Sequence, residues 1–440
     1  MSVPCNATGA WTSLTFGEAP KYCSGVRGEV RIGASDRKVL RRLAAKVREL
    51  ASRPREREKR ELWYEHNALR SRLPLVLVDP ENGWNEIIPA NSLQCRGSLA
   101  RHWEMVLRKE ICYGESLLDD RPIEALFEIG HTYTESGFGV QETYHGGLEG
   151  QSYAWEPAIR GPADLKALQY PRIEVDQETT RQTLNLAQEV LGDLLRVRLR
   201  DVWWWSLSMT WDLSKFVGLQ QLMFLVYDDP QLLHRLMAFL RDANLAKLDD
   251  LEARGLLCLN NDHSYVGSGG LGYTRELPGR ELGGGTVRTS DLWGFAESQE
   301  TTGLSPQMFE EFVHQYQRPI LERFGLNCYG CCEPLDPRWQ VVRKTPKLRR
   351  VSVSAWADQR KMSEALADRF IYSRKPSPAL LALPRLDEDQ VRKDIRDTLE
   401  ITRGNVVELI MKDNHTLGHN PQNLVDWVSI AREEIERLRA

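Results

Sequence analysis

Leu326-Asn327-Cys328-Tyr329-Gly330-Cys331-Cys332-Glu333 is the stretch on which the reading of this chain turns. A short apolar run, stopped by glycine and followed at once by two thiols and a carboxylate, is the pattern of a buried strand whose carboxyl end carries chemistry. The same unit recurs on both sides of it. Upstream, Ser305 and Pro306 open a helix with the stripe Phe309, Phe312, Val313, Tyr316, Ile320 and Phe324, and Gly325 stops it. Downstream, strand-like runs at 350–354, 370–373 and 406–411 alternate with helical stretches near 358–366 and 387–402. A last helix, opened by Asn420-Pro421, carries Leu424, Trp427, Val428, Ala431, Ile435 and Leu438 on one face.

Consecutive strand–helix units require parallel strands with right-handed crossovers, so the fold class is α/β, as an open doubly wound sheet or a closed barrel. Polar residues follow each strand: Cys331, Cys332 and Glu333; Ser354, Trp356 and Asp358; Ser373 and Lys375; Asp413 and His415. Only a barrel brings all of these to one rim. The expectation is therefore a (β/α)8 TIM-type barrel over 111–440, with 1–110 a mostly helical extension packed on it. Stretches 203–209 and 256–259 read as further strands, ending in Trp211-Asp212 and Asp262-His263. Between them Asp229 caps a helix that Pro230 starts. Runs at 75–78 and 123–129 complete a count of eight. Asp36 reads as the cap of a helix with Leu40, Leu43, Ala44, Val47 and Leu50 inward, while residues 1–30 show no period.

The balance of 58 basic and 62 acidic residues, net −4, provides no overall field for a polyanion, which argues against nucleic-acid binding. The basic run Arg53 to Arg60 is interleaved with carboxylates, lacks an aromatic platform and reads as a solvated helix face. No apolar stretch reaches the roughly 18 residues of a membrane span, and no export signal opens the chain. A cytoplasmic protein with reduced thiols, away from membranes, is expected.

The segment from Leu304-Ser305-Pro306 through Phe312 and Pro319-Ile320 to Asn327-Cys328-Tyr329-Gly330-Cys331 resembles the helix and following HxCG strand of uroporphyrinogen-decarboxylase-like proteins. Ala357-Asp358, Arg369-Phe370-Ile371 and Lys375-Pro376-Ser377-Pro378 extend the likeness, which runs from about residue 110 to the end. The resemblance implies a (β/α)-barrel and one of two chemistries: tetrapyrrole decarboxylation, or zinc-dependent methyl transfer with a corrinoid protein. It also implies a homodimer. The arginine-rich RQAGRY segment of the decarboxylases is missing, which favours the methyltransferases. Asn327 stands where their motif has histidine, and that departure bears on the ligand set.

Vicinal thiols beside a carboxylate offer soft and hard donors within one turn, which suits zinc. The expected metal ligands are Cys331, Cys332, Glu333 and His415; the alternative is that one thiol merely packs in the wall. Asp262 and His263 are expected to handle protons or to supply a further ligand, against a simple polar turn. Trp211 and Trp356 are expected to wall a small-molecule substrate. The competing reading, metal-free decarboxylation of an aromatic or pyrrolic acid, would use Asp212 or Asp358 to stabilise a cation and Lys375 to hold the carboxylate. Gly267-Ser268-Gly269-Gly270-Leu271-Gly272 satisfies GxGxxG, but no helix opens after it. It reads as a mobile loop or lid above the pocket.

Overall fold

The computed structural model describes residues 29–71, 73–141, 143–146 and 153–438. The expectation for the amino-terminal residues up to 28 lies outside the described residues. Two helices, α1 (Ala34–Ala51) and α2 (Pro54–Asn67), come first. Eight parallel strands follow among the described residues: β1 (Leu75–Val78), β2 (Leu126–Ile129), β3 (Arg196–Leu199), β4 (Trp293–Ala296), β5 (Leu326–Tyr329), β6 (Leu348–Val353), β7 (Ile371–Arg374) and β8 (Val406–Met411).

The fold is α/β, but the ladders do not close into the expected barrel. Six strands pair in the order β1-β8-β7-β6-β5-β4, and among the described residues β2 pairs only with β3. At both edges of the large sheet, other groups take the hydrogen bonds that a next strand would have taken. Beside β1, Asp120 Oδ2 accepts from Val76 N (2.7 Å) and Asp119 Oδ2 from Val78 N (3.0 Å), while Asp120 N donates to Val76 O (2.8 Å). Beside β4, the Asn260 side chain accepts from Trp293 N (2.9 Å) and donates to Trp293 O (3.0 Å), and Leu207 N donates to Phe295 O (3.0 Å). An edge satisfied in this way has no free template for a further strand.

This capping also corrects the reading of 203–209 and 256–259, which are irregular segments lying along β4 rather than strands. Two of the eight parallel strands escaped the sequence reading. Arg196–Leu199 alternates arginine with aliphatic residues, and Trp293–Ala296 is interrupted by Gly294. The sheet also takes its edge strand β1, paired with Glu408 to Met411 of β8, from inside the stretch assigned to the extension. Ser305 and Asp229 cap their helices as expected, each accepting a backbone N–H. Asp36 does not cap α1; its carboxylate accepts from Arg96 N (3.1 Å) and Gly97 N (3.0 Å). Nor is the basic run wholly solvated. Glu56 and Lys59 are buried in α2 and bind Ile123 N and Arg121 O.

The glycine-rich stretch is the largest correction: it is neither a lid nor exposed. Residues 266–274 are buried, forming a hairpin (Tyr265–Val266 with Gly270–Leu271) pressed onto one face of the six-stranded sheet. Leu271 and Tyr273 pack with Leu75, Leu77 and Ile410 at one end of the sheet. Val266 packs with Trp293, Phe295, Leu326 and Cys328 at the other. A Cβ on Gly267 would lie 2.7 Å from Cys328 Cβ, one on Gly269 2.8 Å from Ile410 Cγ2, and one on Gly270 2.3 Å from Arg350 Cζ. Gly267 (φ +67°) and Gly269 (φ +132°) also adopt backbone that glycine tolerates and other residues resist. The main chain can approach the sheet this closely only without side chains at these positions. The helices cover the opposite face with the large apolar core. Among the described residues, no helix is long and apolar enough to cross a membrane.

Under the hairpin lies a buried ion pair. Arg350 of β6 approaches Glu408 of β8 to 2.9 Å and donates to Asn67 Oδ1 of α2 (2.6 Å), and His66 Nε2 lies 3.1 Å from Glu408 Oε2. Burial pushes the Glu408 carboxyl up, but the charge of Arg350 and the contact with His66 outweigh it and hold the carboxyl below its usual range. Burial holds His66 below the usual imidazole range.

Replacing Gly269 by Ala should cost about 2–4 kcal/mol, from strain and from overlap with Ile410, read as a lower denaturant midpoint at unchanged m-value. Both Glu408 and His66 bind protons more readily in the unfolded chain, so stability should fall as the pH drops through about 6.5 and again below about 4.3. Arg350→Met should lose about 3–5 kcal/mol at pH 7 by leaving Glu408 buried without a counter-charge. The deficit should narrow near pH 4, where the carboxyl takes up its proton; urea titrations at the two pH values check this.

Candidate active site

The carboxyl ends of β5 and β8 bring two thiols, a carboxylate and an ammonium together. Gly330 (φ +91°) turns the chain sharply out of β5, so that Cys331 and Cys332 follow on the rim. Their sulfurs lie 3.5 Å apart. Cys332 Sγ is 3.3 Å from Asp413 Oδ2, and Asp413 Oδ1 is 2.8 Å from Lys412 Nζ, which also lies 3.3 Å from Glu81 Oε1. From below, the tip of the hairpin reaches the same place, and Ser268 Oγ donates to Cys331 Sγ at 3.2 Å.

The electrostatics push the two thiols in opposite directions. A hydrogen bond from Cys332 outweighs burial, and with the nearby Lys412 ammonium it holds the Cys331 thiol below its ordinary range; the Cys332 thiol is correspondingly pushed up. Because the two groups are coupled, the titration belongs to the pair. Lys412 stays protonated: burial alone would lower it, but Cys331, Tyr265, Asp413 and Glu81 raise it. Burial lifts Glu81 to about 7 and draws Lys375 down to about 8.

Of the four expected metal ligands, only the two thiols meet. Glu333 is buried, and its carboxylate accepts from Ser298 N (2.7 Å), Ser298 Oγ (3.1 Å) and Cys331 N (2.9 Å). It serves as the anchor of the loop that carries the thiols. His415 is exposed, with Nδ1 3.4 Å from Asn82 Nδ2. Among the described residues, no group of three or more His, Cys, Asp or Glu side chains is arranged to hold a metal ion. The donor set expected of zinc therefore does not fit these residues.

Asp262 and His263 lie in a second cluster, facing β2 and β3. Asp262 Oδ2 accepts from Arg198 (2.6 Å), Glu128 binds Arg198 and Arg200, and His263 Nε2 is 3.4 Å from Glu128 Oε1. Burial works against the Glu128 charge, but Arg200, His263 and Arg198 hold its carboxyl well below the usual range. Arg198, one of the arginines that hid β3 from the sequence reading, and Arg200 just past the strand complete this cluster. Ser264, at the foot of the hairpin, hydrogen-bonds both Asp262 and Arg200.

A cleft of about 420 Å³ opens beside the thiols, lined by Gln299, Thr302, Cys332, Glu333, Pro334 and Trp356. Trp356, 80% exposed, is among the lining residues. Trp211 is not in the lining; it packs edge-on to Trp155 with centroids 6.1 Å apart, and Asp212 pairs with Lys215 at 3.5 Å. The groups expected for decarboxylation do not come together. Asp358 is an exposed helix cap holding Lys361 N, and Lys375 is buried on Ser373. Sequence reasoning missed Lys412, Ser268 and Glu81. Lys412 stood next to Asp413 at a recognised strand end and was legible; Ser268 and Glu81 had no local signal.

No family model matches the chain, and no curated protein is similar to it at a significant level. Among solved structures, a methyltransferase from Methanosarcina mazei superposes with a TM-score of 0.46 and 12% identity, over 87% of this chain and 98% of that chain. A likeness of that size carries no argument about chemistry.

Glu333→Ala should cost about 2–3 kcal/mol by orphaning two buried backbone N–H groups, and should slow alkylation of Cys332 by loosening its loop. His415→Ala should change stability by less than about 0.5 kcal/mol and leave that alkylation unchanged. Equal effects of the two substitutions would contradict the separate roles of anchor and exposed side chain.

Proposed function

We propose that this chain is a methyl-transferring enzyme acting on a small molecule, with the Cys331–Cys332 pair as its nucleophile. The observation that carries the reading is the 3.5 Å approach of two sulfurs beside Lys412 and Asp413, at the mouth of a cleft sized for a small substrate. A thiolate is a strong nucleophile and proton acceptor, and the hydrogen bond from Cys332 and the Lys412 ammonium favour the charged form of Cys331 against the cost of burial.

Cys332 faces the cleft and Cys331 lies behind it. As the Cys332 sulfur forms its bond to the methyl carbon, the bond from that carbon to the leaving atom breaks and the leaving atom departs with the electron pair. The proton of the Cys332 thiol passes to the Cys331 thiolate. Lys412 balances the charge of the pair before the step, and Asp413 holds Lys412 in place. Trp356 gives a flat apolar wall against which a small methylated compound can lie. The family resemblance implies a corrinoid on a second protein as the acceptor that takes the group on; the transfer to Cys332 itself uses only groups of this chain.

The test uses methyl 4-nitrobenzenesulfonate as a generic methyl donor, with peptide mass mapping of every cysteine. Methylation should fall first on Cys332. Cys332→Ser should abolish it, and Cys331→Ser should slow it by about a hundredfold through loss of the proton acceptor. Equal labelling of Cys332 and the other cysteines, unaffected by Cys331→Ser, would remove the proposal.

A further inference from the structure

The hairpin tip ends in a residue that its packing role does not require. Among Gly267, Ser268, Gly269 and Gly270 only Ser268 carries a side chain, and the glycines around it are at positions where a Cβ would collide with Cys328, Ile410 or Arg350. The tip is therefore held in one place on the sheet. That place puts the Ser268 hydroxyl, itself buried, 3.2 Å from Cys331 Sγ.

A buried hydroxyl loses free energy if its proton finds no acceptor, and a neutral thiol sulfur is a poor acceptor while a thiolate is a good one. A hydroxyl placed here is best satisfied when the sulfur is charged. From this geometry, and resting on the reading of the thiol pair as nucleophile, we infer that Ser268 is a positioning residue for the transfer. The hairpin delivers its hydroxyl through the sheet face to hold the Cys331 sulfur as the acceptor of the Cys332 proton.

The other groups near the pair have different tasks. Lys412 and Asp413 approach from the end of β8 and set its charge, Lys375 follows β7 and bonds Ser373, and Glu333 binds the Cys331 backbone rather than the sulfur. Ser268 is thus the hydroxyl that fixes the direction of the Cys331 side chain. It acts through Cys331 and need not touch substrate.

The experiment follows alkylation of Cys332 in the full chain by iodoacetamide at one pH, resolved by peptide mapping, with thermal midpoints recorded alongside. Ser268→Ala should react about tenfold more slowly, the equivalent of one charge-assisted hydrogen bond. Ser268→Thr, which restores the hydroxyl, should recover most of the rate even where its midpoint is no higher than that of Ser268→Ala. If Ser268→Thr is as slow as Ser268→Ala, the residue only packs and the inference fails. If Ser268→Ala reacts like the unaltered protein while Cys331→Ser is slow, the inference fails and the thiol-pair reading survives. If neither substitution alters the rate at Cys332, both fall together.

Discussion

The main chain at Gly267, Gly269 and Gly270 runs so close to the sheet that Cys328, Ile410 and Arg350 occupy the space a side chain would need. The rest of the interior depends on that contact. A sheet face left uncovered would expose Leu75, Leu77, Trp293, Phe295 and Leu326 to water, and the hairpin covers them from one edge strand to the other. Because backbone rather than side chain makes the approach, its polar groups need partners. Asn67 donates to Leu271 O and Tyr273 O, and the Trp293 indole donates to Gly272 O. The second helix is thereby tied to the hairpin and, through Arg350, to the sheet.

The same hairpin links the two polar clusters. Its foot, Ser264, binds Asp262 and Arg200, and its tip, Ser268, binds Cys331. Between them lies the Arg350–Glu408 pair, which a purely apolar core would not need. Buried ion pairs contribute little net stability but penalise misplacement strongly, since a shifted partner leaves a bare charge. In this fold the pair sets the height of the hairpin on the sheet, and with it the position of the tip at the rim.

At the rim, two carboxylates that look alike in the sequence have separate roles. Glu333 turns back to its own loop and to Ser298, where three donors hold it. Asp413 faces the thiols and carries Lys412 with it. The difference arises from the sharp turn at Gly330, which directs the two cysteines toward β8 and leaves Glu333 facing the segment after β4. Soft and hard donors adjacent in sequence are for that reason not adjacent in space.

The sequence by itself determined the α/β class, the strands at 75–78, 326–329 and 406–411, the helix starts at Ser305 and Asp229, and the position of Cys331, Cys332 and Asp413 just past strand ends. These depend on local signals: apolar runs, glycine stops and capping side chains act within a few residues. Only the tertiary structure decided that the ladders stay open, because Asp119, Asp120 and Asn260 occupy the edges from positions remote in the chain. It also decided that the glycine-rich stretch is an inner hairpin rather than a lid, since glycine permits a mobile loop and a close backbone approach alike. The placement of Glu333 and His415 apart, and of Ser268 against Cys331, was equally invisible locally, because which partner a side chain meets depends on what packs opposite it.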